Sequence, residues 1–236
     1  MRSFPRIKKH FRIKESDITI ITDSEKYVKI ARNYLIRIRS QLEEVIRKHP
    51  EFKTSFSPIT IETTFDVVVQ MQNAAILANV GPMASVAGVF ADAMCDEMIR
   101  HGAQIAVVEN GGEIKIHSIE DIFINLYSKT TNLKNTVSFL FRGGSDPLGI
   151  ATSSGTFGHA TSLGEADTVT VCASSAGIAD AAATKIANSV KRNETRCILE
   201  PTLELAKSMD FIKGVFITCG ELVAKVGKIP ELIISE

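Results

Sequence analysis

The chain has 236 residues, with 27 basic and 27 acidic side chains and no net formal charge. That length supports one large domain, or two small ones fused, around a sizeable core. Balanced charge gives no footprint for nucleic acid, and the lack of tryptophan, with aromatics at 6%, argues against a base-stacking platform.

Residues 2–14 are locally basic and read as a solvated terminus. They carry no apolar signal core, and no stretch of the chain approaches the roughly 18 continuous apolar residues of a membrane span. The expectation is therefore a cytoplasmic protein without a membrane partner. Residues 17–22 (D-I-T-I-I-T) are β-branched and strand-like. Asp23 or Ser24 then caps a long amphipathic helix ending before Pro50, in which Tyr27, Ala31, Leu35, Ile38, Leu42 and Val45 recur at three- and four-residue spacing. Residues 58–70 read as one or two strands. Helix is predicted over about 83–100, stopped by Gly102. Residues 103–109 and 113–117 form two strands joined by Asn110-Gly111-Gly112, a strong hairpin signal.

The second half repeats this order. Strands are predicted at 121–127 and 136–141, a small-residue loop at 149–164, a strand at 167–173 and a helix at about 178–190. A short helix at 201–209 and a strand pair from 211 complete the chain. The strand pairs read as antiparallel, so the fold class is α+β, one domain with two similar halves at about 15–120 and 121–236. Four cysteines, Cys95, Cys172, Cys197 and Cys219, lack C-x-x-C spacing and read as buried reduced thiols.

Three segments can carry chemistry. In the first, residues 81–92, small side chains around Gly88 permit either tight helix packing or phosphate binding by bare N–H groups. Asp92, one turn on, can meet a ribose hydroxyl or face solvent. In the second, Gly111 and Gly112 serve the hairpin turn, or let a ligand lie against the backbone with Asn110 or Glu113 bonding to it. In the third, Thr152, Ser153, Ser154 and Gly155 offer the hydroxyls and N–H groups of an anion nest, and His159 on the same loop can accept a proton from a hydroxyl. Asp180 and Thr184, at i and i+4, share one helix face. Their oxygens suit Mg²⁺, which keeps waters and recruits ligand phosphates, rather than Zn²⁺; Asp180 could equally cap its helix.

Taken in order, these segments resemble the ApbE family of flavin transferases. The resemblance rests on Ala87-Gly88-Val89-Phe90-Ala91-Asp92, Asn110-Gly111-Gly112-Glu113-Ile114, Thr152-Ser153-Ser154-Gly155 with His159, and Val169-Thr170-Val171-Cys172-Ala173 followed by Ala179-Asp180 and Thr184. It spans about residues 17–192. It departs where the family has lysine (Ala87), Asp-Pro after the histidine (Ala160-Thr161) and Asp (Glu113).

What the resemblance implies is a duplicated T-fold-like architecture of antiparallel sheets packed on helices, binding FAD with Mg²⁺ at Asp180 and Thr184. The implied reaction moves FMN from FAD to a serine or threonine of an acceptor protein and releases AMP, with His159 as the base. The short chain is similar to a compact branch of archaea and anaerobic bacteria, linked to homocysteine formation. Two other expectations stand beside the transferase: a flavin- or nucleotide-binding partner without transfer, and a structural homo-oligomer whose glycines serve packing.

Overall fold

A computed structural model describes residues 6–126, 136–153, 166–192 and 197–235. In chain order the first half contains β1 (Ile7–Ile13), β2 (Ser16–Thr22), α1 (Glu25–Lys48), the single turn α2 (Glu51–Thr54) and α3 (Asp66–Ala78). A 3-10 turn (Pro82–Ser85) leads into α4 (Val86–Arg100), then β3 (Ile105–Asn110) and β4 (Glu113–Ser118). The rest comprises β5 (Ile122–Leu126), β6 (Thr136–Phe141), β7 (Leu148–Ser153), β8 (Thr168–Ala173), α5 (Ala176–Ser189), β9 (Lys191–Arg192), β10 (Cys197–Ile198), α6 (Glu200–Ser208), β11 (Gly214–Cys219), β12 (Leu222–Gly227) and β13 (Glu231–Ser235).

Eight strands form one antiparallel sheet in the order β1-β2-β3-β4-β7-β8-β11-β12. Each block of four follows one plan: two strands, then helices, then two strands. This is the α+β class expected from the sequence. The strand period of two gives the sheet two buried faces. Ile18, Ile20, Ala106 and Val108 pack with α1, α3 and α4. Val169, Val171, Val215 and Ile217 pack with α5 and α6. The opposite face, through Val107, Ile116, Ile150 and Phe216, meets the three-stranded sheet β13-β6-β5 by way of Ile124, Phe139 and Phe141.

Four expectations are corrected. The basic terminus is a strand: Ile7, Phe11 and Ile13 alternate with charged residues, and β1 pairs along its whole length with β2. Its charges protect a sheet edge. Residues 58–65 form no strand, and 66–70 open α3, where Val67, Val68, Met71, Ala74, Ala75 and Ala78 are buried at helical spacing. The extended segment before α3 is pinned by Gln72, whose side chain accepts the Ile61 N–H. Residues 149–153, read as the start of a loop, belong to β7. Lastly, Cys197 and Cys219 form a disulfide, with Cα atoms 6.2 Å apart, while Cys95 and Cys172 remain free and buried. Among the described residues no single helix is long and apolar enough to cross a membrane.

Candidate functional site where two helix starts meet a glycine hairpin

The hairpin between β3 and β4 turns on two glycines with positive φ, Gly111 at 69° and Gly112 at 119°. A side chain at Gly112 would meet nothing within 4 Å, so the backbone conformation, not crowding, calls for glycine there. Asn110, buried at the end of β3, donates from Nδ2 to the Ala87 carbonyl at 3.0 Å and ties the hairpin to the first turn of α4. Glu113 opens β4 on the other side of the turn.

The first turns of α4 and α5 are in close contact. A Cβ on Gly88 would lie 2.2 Å from the Ala176 carbonyl oxygen, and one on Gly177 would lie 2.4 Å from Val89 Cγ2. Gly88 thus serves the packing alternative, and its N–H donates to Asp180 Oδ2 at 3.0 Å. Asp180 therefore does not cap its own helix. Ser175 does that, its Oγ accepting from the Ile178 N–H.

Asp92 points at α5. Its oxygens accept from the Ser175 hydroxyl at 2.6 Å and from the N–H groups of Ala176 at 2.9 Å and Gly177 at 2.8 Å. Lys115 Nζ lies 3.3 Å from the same carboxylate and donates to the Ser174 carbonyl at 2.6 Å. Asp92 is thus committed to protein partners, and Lys115 and Ser175 join the site although sequence reasoning passed over them. The available signal was the strict alternation of E-I-K-I-H, which puts Lys115 on the same, helix-covered side of β4 as Glu113.

Negative charge crowds the hairpin end. Burial pushes the Asp180 carboxyl well above the usual carboxylate range; Glu113 and then Asp92 add to this, while the N–H groups of Gly88 and Ala87 oppose it. Burial also lifts Glu113 to about 7, with Glu109 contributing. Thr184 follows Asp180 by one turn and is half-buried. Among the described residues no group of three or more His, Cys, Asp or Glu side chains forms a metal cage. A carboxylate-and-hydroxyl set with unmatched negative charge nevertheless fits Mg²⁺, which draws further ligands from water and phosphate.

The two hydroxyls of β7 divide. Thr152 bonds to Thr170 across the strands at 3.0 Å, on the face opposite the helices. Ser153 alternates onto the helix face, one residue pair beyond Ala151, which packs with α5. Gly155 and His159 lie outside the described residues. The described part of the site thus brings together Gly88, Asn110, Gly111, Gly112, Glu113 and Asp180, with Thr184 one turn beyond Asp180 on α5 and Ser153 at the end of β7.

A family model described as AbpE bacteria matches residues 2–226. A UPF0280 protein of Methanococcus maripaludis is 41% identical over 224 residues, 94% of this chain and 90% of that one. A UPF0280 protein of Archaeoglobus fulgidus is 37% identical over 227 residues, 96% of this chain and 94% of that one. Among solved structures, the flavin transferase ApbE from Vibrio cholerae superposes with a TM-score of 0.61 at 15% identity, covering 98% of both chains. The Pseudomonas stutzeri flavinyl transferase ApbE superposes at 0.58 and 15%, covering 96% of both. At that identity the superpositions show a shared fold, and the expected likeness to ApbE proteins is borne out. With its match running over nearly the whole length, the chain belongs to the AbpE bacteria family.

Proposed function

We propose that the protein binds a flavin nucleotide with Mg²⁺ at this site and transfers the FMN portion of FAD to a hydroxyl of an acceptor protein. The carrying observation is the meeting of Glu113 and Asp180 with the first turn of α4, beside a hairpin whose glycines leave the backbone open. The fold shared with flavin transferases supports the same reading.

In this reading Gly88, Asn110, Gly111 and Gly112 form the wall against which the nucleotide lies. Ser153 and Gly155 offer donors to the phosphates, with Thr152 stiffening the strand that ends at Ser153. Asp180 and Thr184 hold the ion, and Glu113 adds a second negative group beside them. Bound Mg²⁺ would neutralise charge growing on the phosphate oxygens. His159 takes the proton of the acceptor hydroxyl. The hydroxyl oxygen bonds to the FMN phosphorus, and the pyrophosphate P–O bond breaks with its electron pair leaving on AMP.

Incubation of the purified protein with FAD, Mg²⁺ and a serine- or threonine-bearing acceptor should release AMP, read by chromatography. Mg²⁺-dependent FAD binding without AMP would reduce the reading to a flavin binder, and no binding would remove it. Asp180→Ala should abolish the Mg²⁺ dependence. An Asp180→Ala variant that still responds to Mg²⁺ removes the metal assignment, and unchanged AMP release in His159→Ala removes the base.

A further inference from the structure

We propose that Asp92 and Lys115 are a positioning pair: buried and out of the ligand's reach, they fix the start of α5 and thereby place Asp180 and Thr184. Only the functional half of this inference rests on the flavin–Mg²⁺ reading.

A helix start leaves its first N–H groups without partners. In α5 the Ile178 N–H goes to Ser175 Oγ, while those of Ala176 and Gly177 go to Asp92 on another helix. Asp92 also takes the Ser175 hydroxyl, so it holds the capping side chain as well as the helix. A carboxylate only 5% exposed needs a cation, and Lys115, 7% exposed, provides it from β4. The same ammonium grips the Ser174 carbonyl just before the helix. Sheet, α4 and α5 are thus joined through one buried ion pair.

The arrangement is reciprocal. Asp180 on α5 accepts from Gly88 in the first turn of α4, as Asp92 on α4 accepts from the first turn of α5. Asp180 lies four residues beyond Ala176, about 6 Å along the axis. The glycine contacts leave little slack: a Cβ on Gly149 of β7 would also fall 2.2 Å from Ala176 N. A shift at the start of α5 is therefore carried along a rigid helix to Asp180. Groups that orient a metal ligand in this way tune the metal without touching it.

The test compares Lys115→Met, Lys115→Arg and the double variant Asp92→Asn/Lys115→Met, which leaves no unpaired buried charge. The first readout needs no flavin: amide exchange, resolved by residue. Lys115→Met should speed exchange at Ala176 and Gly177 and also at Gly88, with core amides of β3 unchanged. Lys115→Arg, keeping the cation, should restore most of the protection. The second readout is the Mg²⁺ concentration that half-saturates FAD binding. It should rise by about tenfold or more in Lys115→Met, the range seen when an outer partner of a metal ligand is lost, with FAD affinity at saturating Mg²⁺ unchanged.

Faster exchange at Ala176 and Gly177 with Gly88 and the Mg²⁺ requirement unmoved would overturn the proposal, leaving the pair a local cap. If Lys115→Met does not fold, the double variant gives the same two readouts. If the wild-type protein binds no FAD with Mg²⁺, the flavin reading fails separately, and exchange at Gly88 alone decides the positioning.

Discussion

Glu113 stands at the first position of a strand whose helix-facing side is covered, and the surroundings resist a charge there. Its carboxyl, lifted to about 7 by burial and then by Glu109, holds a proton in the folded chain that it would release near 4.5 when unfolded. Asp180 shifts in the same direction for the same leading reason. Between those two values folded Glu113 binds more protons than unfolded Glu113, so its contribution makes stability fall as pH rises from about 4.5 to 7 and then levels off, and Asp180 acts in the same sense. Thermal melts of the metal-free protein should show that slope. Glu113→Gln should flatten it, and Mg²⁺ should oppose it by binding the folded state. A melting temperature that climbs across this window would contradict the burial assigned to the pair.

The residues around Glu113 show what local sequence can convey. Gly111 and Gly112 announce their turn by composition alone. Asp92 and Asp180 were recognisable as notable acids, but their targets lie on each other's helices, 83 to 92 residues away. No local spacing encodes that exchange.

At the scale of elements, the helix pair α4–α5 is the tightest joint near the site. Gly88→Ala would drive its Cβ into the Ala176 carbonyl, against backbone that cannot swing aside. A loss of about 1–3 kcal/mol is expected, as for other overpacked contacts. Denaturant unfolding measures it, and a neutral Gly88→Ala would show the helices sit farther apart. Amphipathic α1 was legible because one face is buried regularly, and β3, β8 and β11 because both of their faces are buried and their runs are apolar and β-branched. Residues 58–70 misled because β-branched residues run straight into α3. There Val67 and Val68 are helical since Met71, Ala74, Ala75 and Ala78 continue the same buried stripe. β1 was missed because only three apolar residues stand among its charges; pairing with β2, not burial, makes it a strand.

Across the whole molecule, the disulfide ties the segment between α5 and α6 to the end of β11. The two cysteines are 22 residues apart and carry no motif, so only the fold brings them together. Reducing the bond should lower unfolding free energy by about 2–4 kcal/mol, measured in denaturant with and without dithiothreitol. Before unfolding, Cys95 and Cys172 should resist thiol reagents. Both are buried, and burial pushes the Cys172 thiol up to about 12 and raises Cys95 as well. A fast-reacting thiol in the oxidised native protein would contradict that placement.

The exchanged caps also set an order of assembly. The bonds from Gly88 to Asp180 and from Gly177 to Asp92 close loops of 92 and 85 residues, among the slow, late steps of a folding chain. A first half emerging during synthesis would carry a complete α1 and a paired β1–β2 ribbon, but an α4 whose opening turn has no acceptor. Substitutions at Asp92 or Asp180 should then speed unfolding and leave the folding rate nearly unchanged. The site would be the last region of the protein to become native, and the first to be lost.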